Sequence, residues 1–364
     1  MNRWERLLPP TGYPGAPVLP WPDGEPAPSL PDGTAGISVR IRTRTTDPAN
    51  WVATRAVGVD DRPMWHGVGR MVVVTEPGEH LVELRGRAAT ETARLVRPGV
   101  GEIAELEYWM PASFGAAEGV LVPAPARRRL GSGISGFVAA LAALAVVVLL
   151  ADAAGLRPGP LLVAALFVLA AAAAVLTVKV KGAADRRYRA EVSSEAGAGA
   201  PASVAENGLF LGDGPPPAGL AGGDRGLLVV TAGAERDYVW NGIRVGVRPN
   251  ADPNAWLPWP TLSIDGVAHP LSWRTWCYRL APGEHEVRVL ARPPRRGGQG
   301  EPVAPAGEPV TVRVPVVAGR ITRLDLRAKA TVEVAAASRD RAAPTELTRF
   351  AATVEARVSA PTAP

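Results

Sequence analysis

Hydrophobic and polar residues alternate along two stretches of this chain, and an unbroken apolar zone lies between them. The first alternating stretch contains ISVRIRTRT (37–45), WVATRAVGV (51–59), GRMVVVT (69–75), HLVELRG (80–86) and EIAELEYW (102–109). The second contains LLVVTA (227–232), DYVWNGIRVGVR (237–248), WLPWPTLSI (256–264), WRTWCYRL (273–280), HEVRVLA (285–291), VTVRVPVV (310–317) and ITRLDLR (321–327). A period of two with many β-branched and aromatic residues predicts short, half-buried strands. Asp47-Pro48, Asp60-Asp61 and Pro77-Gly78 punctuate the first set as turns. The pattern predicts two all-β modules, over 36–112 and 226–328, each a sandwich of antiparallel sheets, with a small barrel as the alternative.

The zone between reads differently. ISGFVAALAALAVVVLLA (134–151) and LLVAALFVLAAAAAVLTV (161–178) carry no charge. Each is about 18 residues, close to the ~20 that cross a bilayer as a helix. They predict a transmembrane hairpin, with helices over 131–154 and 161–180 and a short external loop over 155–160. Arg127, Arg128 and Arg129 precede it, Lys179, Lys181, Arg186 and Arg187 follow it, and the loop carries only Arg157. Basic residues favour the cytoplasmic side, so this reading gives a multi-pass protein of the cell membrane with both termini cytoplasmic. MNRWERLLPPTGYPG lacks the apolar segment of a signal peptide, in keeping with that topology. The lipid bilayer is one expected partner. The small-residue spacings Gly136/Ala140 and Ala170/Ala174 predict close helix packing, within the hairpin or in a homo-oligomer. The fold class expected is therefore mixed: two all-β modules separated by a two-helix transmembrane hairpin.

Proline and glycine mark the remaining segments. Residues 1–35 and 181–225 are rich in both and read as unfolded spacers, and 113–130 reads as a basic linker. In the tail, 329–364, the spacing of Leu347, Phe350, Ala351, Val354 and Val358 predicts a short amphipathic helix.

The two alternating stretches repeat each other. EPGEHLVELRG (76–86) matches APGEHEVRVLA (281–291), and DPANW ending at Trp51 matches DPNAW ending at Trp256. Asp60 falls opposite Asp265 in the same register. Three anchors at fixed spacing predict duplication of one module. In each copy Pro77 or Pro282 fixes φ within a tight turn, and Gly78 or Gly283 supplies the positive φ that follows. His80, Val82 and Leu84, like His285, Val287 and Val289, then share one face of the next strand, while Glu284, Glu286 and Arg288 share the other. This hairpin, a turn with Pro-Gly and a strand of the form Glu-His-x-Val, resembles that of bacterial PEGA-type and carboxypeptidase-regulatory-like β-sandwich modules. About 30 residues of each module share the likeness; the signature tetrad and the usual Gly-x-x-Pro step are absent. The resemblance implies a non-catalytic, surface-presenting module.

Charge and chemistry narrow the function classes. A net charge of +5 with a pI near 9.8 reflects mainly the arginines and lysines beside the apolar zone, so nucleic acid is not an expected partner. Cys277 is the single cysteine, which rules out an internal disulfide. It lies mid-strand without a partnering histidine motif, as a small core residue does. The four histidines match no metal-ligand spacing, and His80 and His285 read as packed strand-start residues with a ring nitrogen bonded to backbone. No phosphate loop, nucleophile elbow or catalytic carboxylate pair occurs, so no enzyme activity, cofactor or metal is expected. Tryptophans crowd the second module. In WRTWCY (273–278) both strand faces carry aromatics, which predicts one tryptophan exposed or at an inter-domain contact. Trp259, Trp273, Trp276, Arg274 and Tyr278, with Arg295 and Arg296 of the basic loop, form the candidate interaction surface. The leading expectation is a non-catalytic membrane protein presenting both modules to an unidentified protein partner in the cytoplasm. The alternative is an envelope-facing protein that binds a small ligand or glycan through the second module.

Overall fold

The computed structural model describes residues 8–41, 55–86, 92–109, 119–126, 208–295 (less 213, 218–219, 221–222 and 246–251), 298, 300–301, 307–336 and 345–363, with isolated helical positions between 168 and 190. Module 1 comprises β1 (Thr11–Gly12), β2 (Val18–Pro20), β3 (Ala35–Ile41), β4 (Ala56–Val59), β5 (Arg62–His66), β6 (Gly69–Thr75), β7 (His80–Arg85), β8 (Thr92–Val96), β9 (Ile103–Trp109) and β10 (Val120–Pro123). Module 2 comprises β11 (Leu209–Gly212), β12 (Gly226–Trp240), β13 (Ile243–Arg244), β14 (Thr261–Ile264), β15 (Val267–His269), β16 (Thr275–Leu280), β17 (Gly283–Leu290), β18 (Val310–Val316), β19 (Ile321–Ala336) and β20 (Thr345–Val358).

In module 1 the sheet β1-β5-β4-β7-β8 packs on the sheet β10-β9-β3-β6-β2. In module 2 the sheet β15-β14-β17-β18 packs on β11-β16-β12-β19-β20, with β13 as a side branch on β12. Strand orders superimpose: β5-β4-β7-β8 corresponds to β15-β14-β17-β18, and β10-β9-β3-β6-β2 to β20-β19-β12-β16-β11. Register agrees too, with Val59 opposite Val82 in one copy and Ile264 opposite Val287 in the other. The duplication seen in the anchors is a duplication of topology.

The sandwiches are not wholly antiparallel. β3 runs parallel to β9, and β12 parallel to β19. β9 and β19 reach their places by crossing from the other sheet, and a crossover leaves neighbours parallel where a hairpin cannot.

Each core comes from alternate residues of facing sheets. Ile37, Val39, Val57, Val82, Leu84, Leu106 and Trp65 fill module 1. Leu228, Val230, Leu262, Val287, Val289, Val314, Leu324 and Trp276 fill module 2. The outward face of β19 carries Arg323, Asp325, Arg327 and Lys329, all exposed. Asp325 lies opposite Arg357 and Arg327 opposite Glu355 of β20, so opposite charges face each other across the two strands.

Further expectations are corrected, and besides those that follow, the segments read as linker and spacer contain β10 and β11, both largely buried. First, the described residues are nearly all β, and the expected two-helix hairpin is not seen among them: the first predicted helix lies outside the described residues, and no described helix is long and apolar enough to cross a membrane. The described residues therefore give no support to the multi-pass membrane location or to its cytoplasmic termini. That reading rested on the apolarity of two runs, and apolarity alone does not fix what surrounds a run. Residues 127–167, with Arg127, Arg128 and Arg129, lie outside the described residues, as does Lys181, while Lys179, Arg186 and Arg187 are exposed. Second, the Pro-rich N-terminal segment is folded from residue 8. It contributes β1 and β2 and buries Tyr13 and Trp21. The Arg70 guanidinium lies 3.1 Å over the Trp21 ring, whose Nε1 donates to Glu25 O at 3.0 Å. Pro20 ends the short edge strand β2, where proline is tolerated. Third, the tail forms strand, not helix: β19 extends to Ala336, and β20 pairs with it antiparallel.

Candidate functional site: the seam between the modules

β7 should bury one face and expose the other, yet all six of its residues are buried. His80, Val82 and Leu84 point into module 1. Leu81, Glu83 and Arg85 point outward, and module 2 covers them. Leu81 belongs to the module 2 core beside Leu257 and Trp273, with Ala93 and Leu95 of β8 packed against the same cluster.

Trp256 is the centre of this seam. Asp252 caps the 3-10 turn Pro253–Ala255, its Oδ1 accepting Asn254 N–H at 2.9 Å, and the turn delivers Trp256 toward module 1. The ring is 4% exposed. It lies over Gly58, where a Cβ would collide with it. Its Nε1 donates to Asp61 O at 3.2 Å. The Arg85 guanidinium stacks on its face 3.5 Å from the centroid and donates to Leu257 O. Arg85 also pairs with Glu83 at 3.0 Å, both side chains 0% exposed. Such a pair is tolerable only where further hydrogen bonds complete it, and here the completing carbonyl comes from the other module.

Asp61 is the second anchor. It occupies the β4–β5 hairpin turn with φ +66, in the left-handed region that favours glycine. The equivalent position in module 2 is Gly266, at φ +81. The strained aspartate is held by contacts across the seam: its carboxylate accepts Trp259 N–H at 2.6 Å and pairs with Arg292. Arg292 Nε in turn donates to Trp259 O at 2.7 Å. Burial pushes the Asp61 carboxyl up to about 6, against the opposing pull of Arg292 and Arg85. Nearby, burial lowers Arg236 to about 10 and raises the Tyr13 and Tyr238 hydroxyls. Arg236 donates to Ala255 O and Tyr238 to Asp252. These groups engage one another, which is the chemistry of a latch.

The repeat-defining residues form a second, duplicated device. His80 Nδ1 lies 2.5 Å from Asp60 Oδ2, and its Nε2 2.8 Å from Glu76 O. His285 Nδ1 lies 2.6 Å from Asp265 Oδ2, and its Nε2 2.8 Å from Ala281 O. Each ring is thus held at both nitrogens, by an aspartate carboxylate on one side and a backbone carbonyl on the other. The other oxygen of each aspartate accepts a strand N–H at 2.9 Å, from Leu81 and Glu286 respectively. The hydrogen bond from His285, then that from Glu286 N–H, holds the Asp265 carboxyl below its ordinary value. Gly78 (φ +141) and Gly283 (φ +147) follow Pro77 and Pro282 with the expected positive φ.

The candidate interaction residues are dispersed. Trp273, Trp276 and Tyr278 are buried in the module 2 core. Trp273 Nε1 donates to Pro258 O at 2.9 Å, Trp276 Nε1 to Ser272 Oγ at 3.0 Å, and Tyr278 OH to Pro270 O at 2.5 Å. Trp259 is half-buried at the seam, and Arg274 and Arg295 are half-buried. Trp51 and Arg296 lie outside the described residues. Cys277 is buried, and burial pushes its thiol up to about 12, far from a reactive thiolate. Among the described residues no three His, Cys, Asp or Glu side chains gather as metal ligands.

The seam was missed from sequence, but the repeat carries its signal. Asp61 stands where the other copy has Gly266. Leu81 and Glu83 stand where it has Glu286 and Arg288. Positions at which duplicated modules differ in polarity are positions at which their surroundings differ.

No family model, curated protein or solved structure matches this chain, so the likeness to PEGA-type modules rests on the Pro-Gly-Glu-His hairpins alone.

Proposed function

We propose that this chain is a non-catalytic adaptor whose two β-sandwich modules act as one rigid body toward a protein partner. The observation that supports it is the seam: Trp256, Arg85, Glu83 and Asp61 are buried in contacts that need both modules. A seam of this kind holds exposed surfaces in fixed relation. One is the outward face of β17, with Glu284, Glu286 and Arg288; another is the outward face of β19, with Arg323, Asp325, Arg327 and Lys329. Their charges are mixed in sign, which suits a protein surface of complementary pattern better than a polyanion. The glycan-binding alternative needs accessible aromatics, and Trp273 and Trp276 are core residues.

The test is affinity capture on the intact chain, with charge reversal at Arg327 and Lys329 as the comparison. A protein retained by the parent and lost from the reversed variant supports the reading. Failure of the intact chain to retain any protein specifically would sink it.

A further inference from the structure

The connection between the modules is unusually long for neighbours that pack together. Roughly 80 residues separate Ala126 from Gly208, whereas most connections in compact domains run about 4–6 residues. The seam contacts come from outside that connection, among them Tyr13, Ala56, Gly58, Asp61, Leu81, Arg85, Ala93 and Leu95 on one side, and Trp256, Leu257, Trp259 and Arg292 on the other. The two sides have the anatomy of a protein–protein interface. An aromatic anchor is buried at the centre, an arginine stacks on it, and charged groups pair where water is excluded.

We propose that this seam is self-sufficient, and that the module 1 face accepts module 2 of a second copy of this chain. Two copies can then exchange modules and form a dimer with two identical seams. Domain swapping of this kind is a low-cost route to dimers, because each seam keeps its native contacts and only the connection changes course. Its cost is the loss of a tethered partner, so exchange rises with protein concentration. The inference needs the seam alone and stands whether or not an outside partner binds.

The experiment uses the full chain with a protease site inserted between Ala198 and Gly199, in two batches, one bearing a tag at its N-terminus. After cleavage, capture of tagged module 1 should retain module 2 at near-equal amounts. When the cleaved batches are mixed, tagged module 1 should acquire untagged module 2 in proportion to the mixing ratio. Trp256→Ala should release module 2 roughly ten-fold faster, and Arg292→Ala, a milder change at a half-exposed side chain, should release it more slowly than that but faster than the parent. Near-UV circular dichroism on each uncut variant checks that the modules remain folded. Separation of the parent fragments on cleavage would overturn the proposal. So would retention without exchange, which would confine the seam to one chain, or variants that stay folded and release no faster than the parent.

Discussion

The outward face of β7 and the outward face of β17 occupy the same place in duplicated modules, and they meet opposite environments. On β7 the outward residues are Leu81, Glu83 and Arg85, all buried. On β17 they include Glu286 and Arg288, both exposed. Fold alone does not decide whether a sheet face is a surface or an interface. A few side chains decide it: an added leucine, an arginine able to stack on a tryptophan, and a hairpin aspartate where the other copy has glycine. The β17 face is kept solvated by charge, with Glu286 directly opposite Arg313 of β18.

The largest expected contrast lies at one equivalent position. Glu83→Ala leaves Arg85 buried without its carboxylate, and breaking a buried pair in this way costs about 3–5 kcal/mol. Arg288→Ala, at the matching position of module 2, should change stability by no more than about 0.5 kcal/mol. Urea unfolding followed by tryptophan fluorescence measures both. Similar losses at the two sites would mean that the β7 face is not an interface in solution.

A second contrast is in pH dependence. Burial raises Asp61 to about 6 from an ordinary 3.8. A raised carboxyl favours the protonated folded form, so its contribution is fully present below the ordinary value and is lost as pH rises from about 4 through about 6. At two units the effect is on the order of 2–3 kcal/mol. Asp265 is shifted the other way by His285 and Glu286, so its contribution is present at neutral pH and lost on acidification. Asp61→Asn should remove the loss between pH 4 and 6, and Asp265→Asn should remove the opposing one. Stability profiles unchanged by either variant would show that neither carboxyl titrates differently on folding.

Much of this was legible from the alternating pattern, and the failures have definite causes. Asp60, Pro77, Gly78, His80 and their counterparts announced the repeat because turns constrain residue type locally. The tail misled because Phe350, Val354 and Val358 satisfy a spacing of four and also a period of two. A bulge at Thr348, between Leu347 opposite Val334 and Arg349 opposite Glu333, then brings Leu347 into line with a helical pattern. Trp21 lies in a segment whose composition hid it, since proline content marks what cannot be a central strand, not what can cover one. The seam joins Asp61 to Trp256 and Arg292 across most of the chain, and no local spacing encodes such a contact.

The hairpin turns offer a smaller test. Gly266→Asp imposes on module 2 the residue that Asp61 is in module 1. A Cβ there meets nothing within 4 Å, so the cost is the backbone alone, about 1 kcal/mol for a non-glycine residue at φ +81. Among the described residues nothing stands against the new side chain as Arg292 and Trp259 stand against Asp61. Thermal unfolding should register that loss; a neutral result would mean that the left-handed turn in module 1 is held without help from the seam.

The smallest expected change in stability carries the most direct test of why the two faces differ. Glu286→Leu places on β17 the residue that β7 has at Leu81. The position is exposed, so stability should move by less than about 0.5 kcal/mol, with the pairing to Arg313 lost. Association should respond far more. An exposed leucine there adds apolar surface to a sheet face, and exposed apolar surface drives self-association. Sedimentation velocity on parent and variant at matched concentrations should show a higher weight-average mass for the variant. An unchanged mass would locate the difference between the faces in the shape of the Trp256 contact, since polarity alone would then not be what keeps the β17 face free.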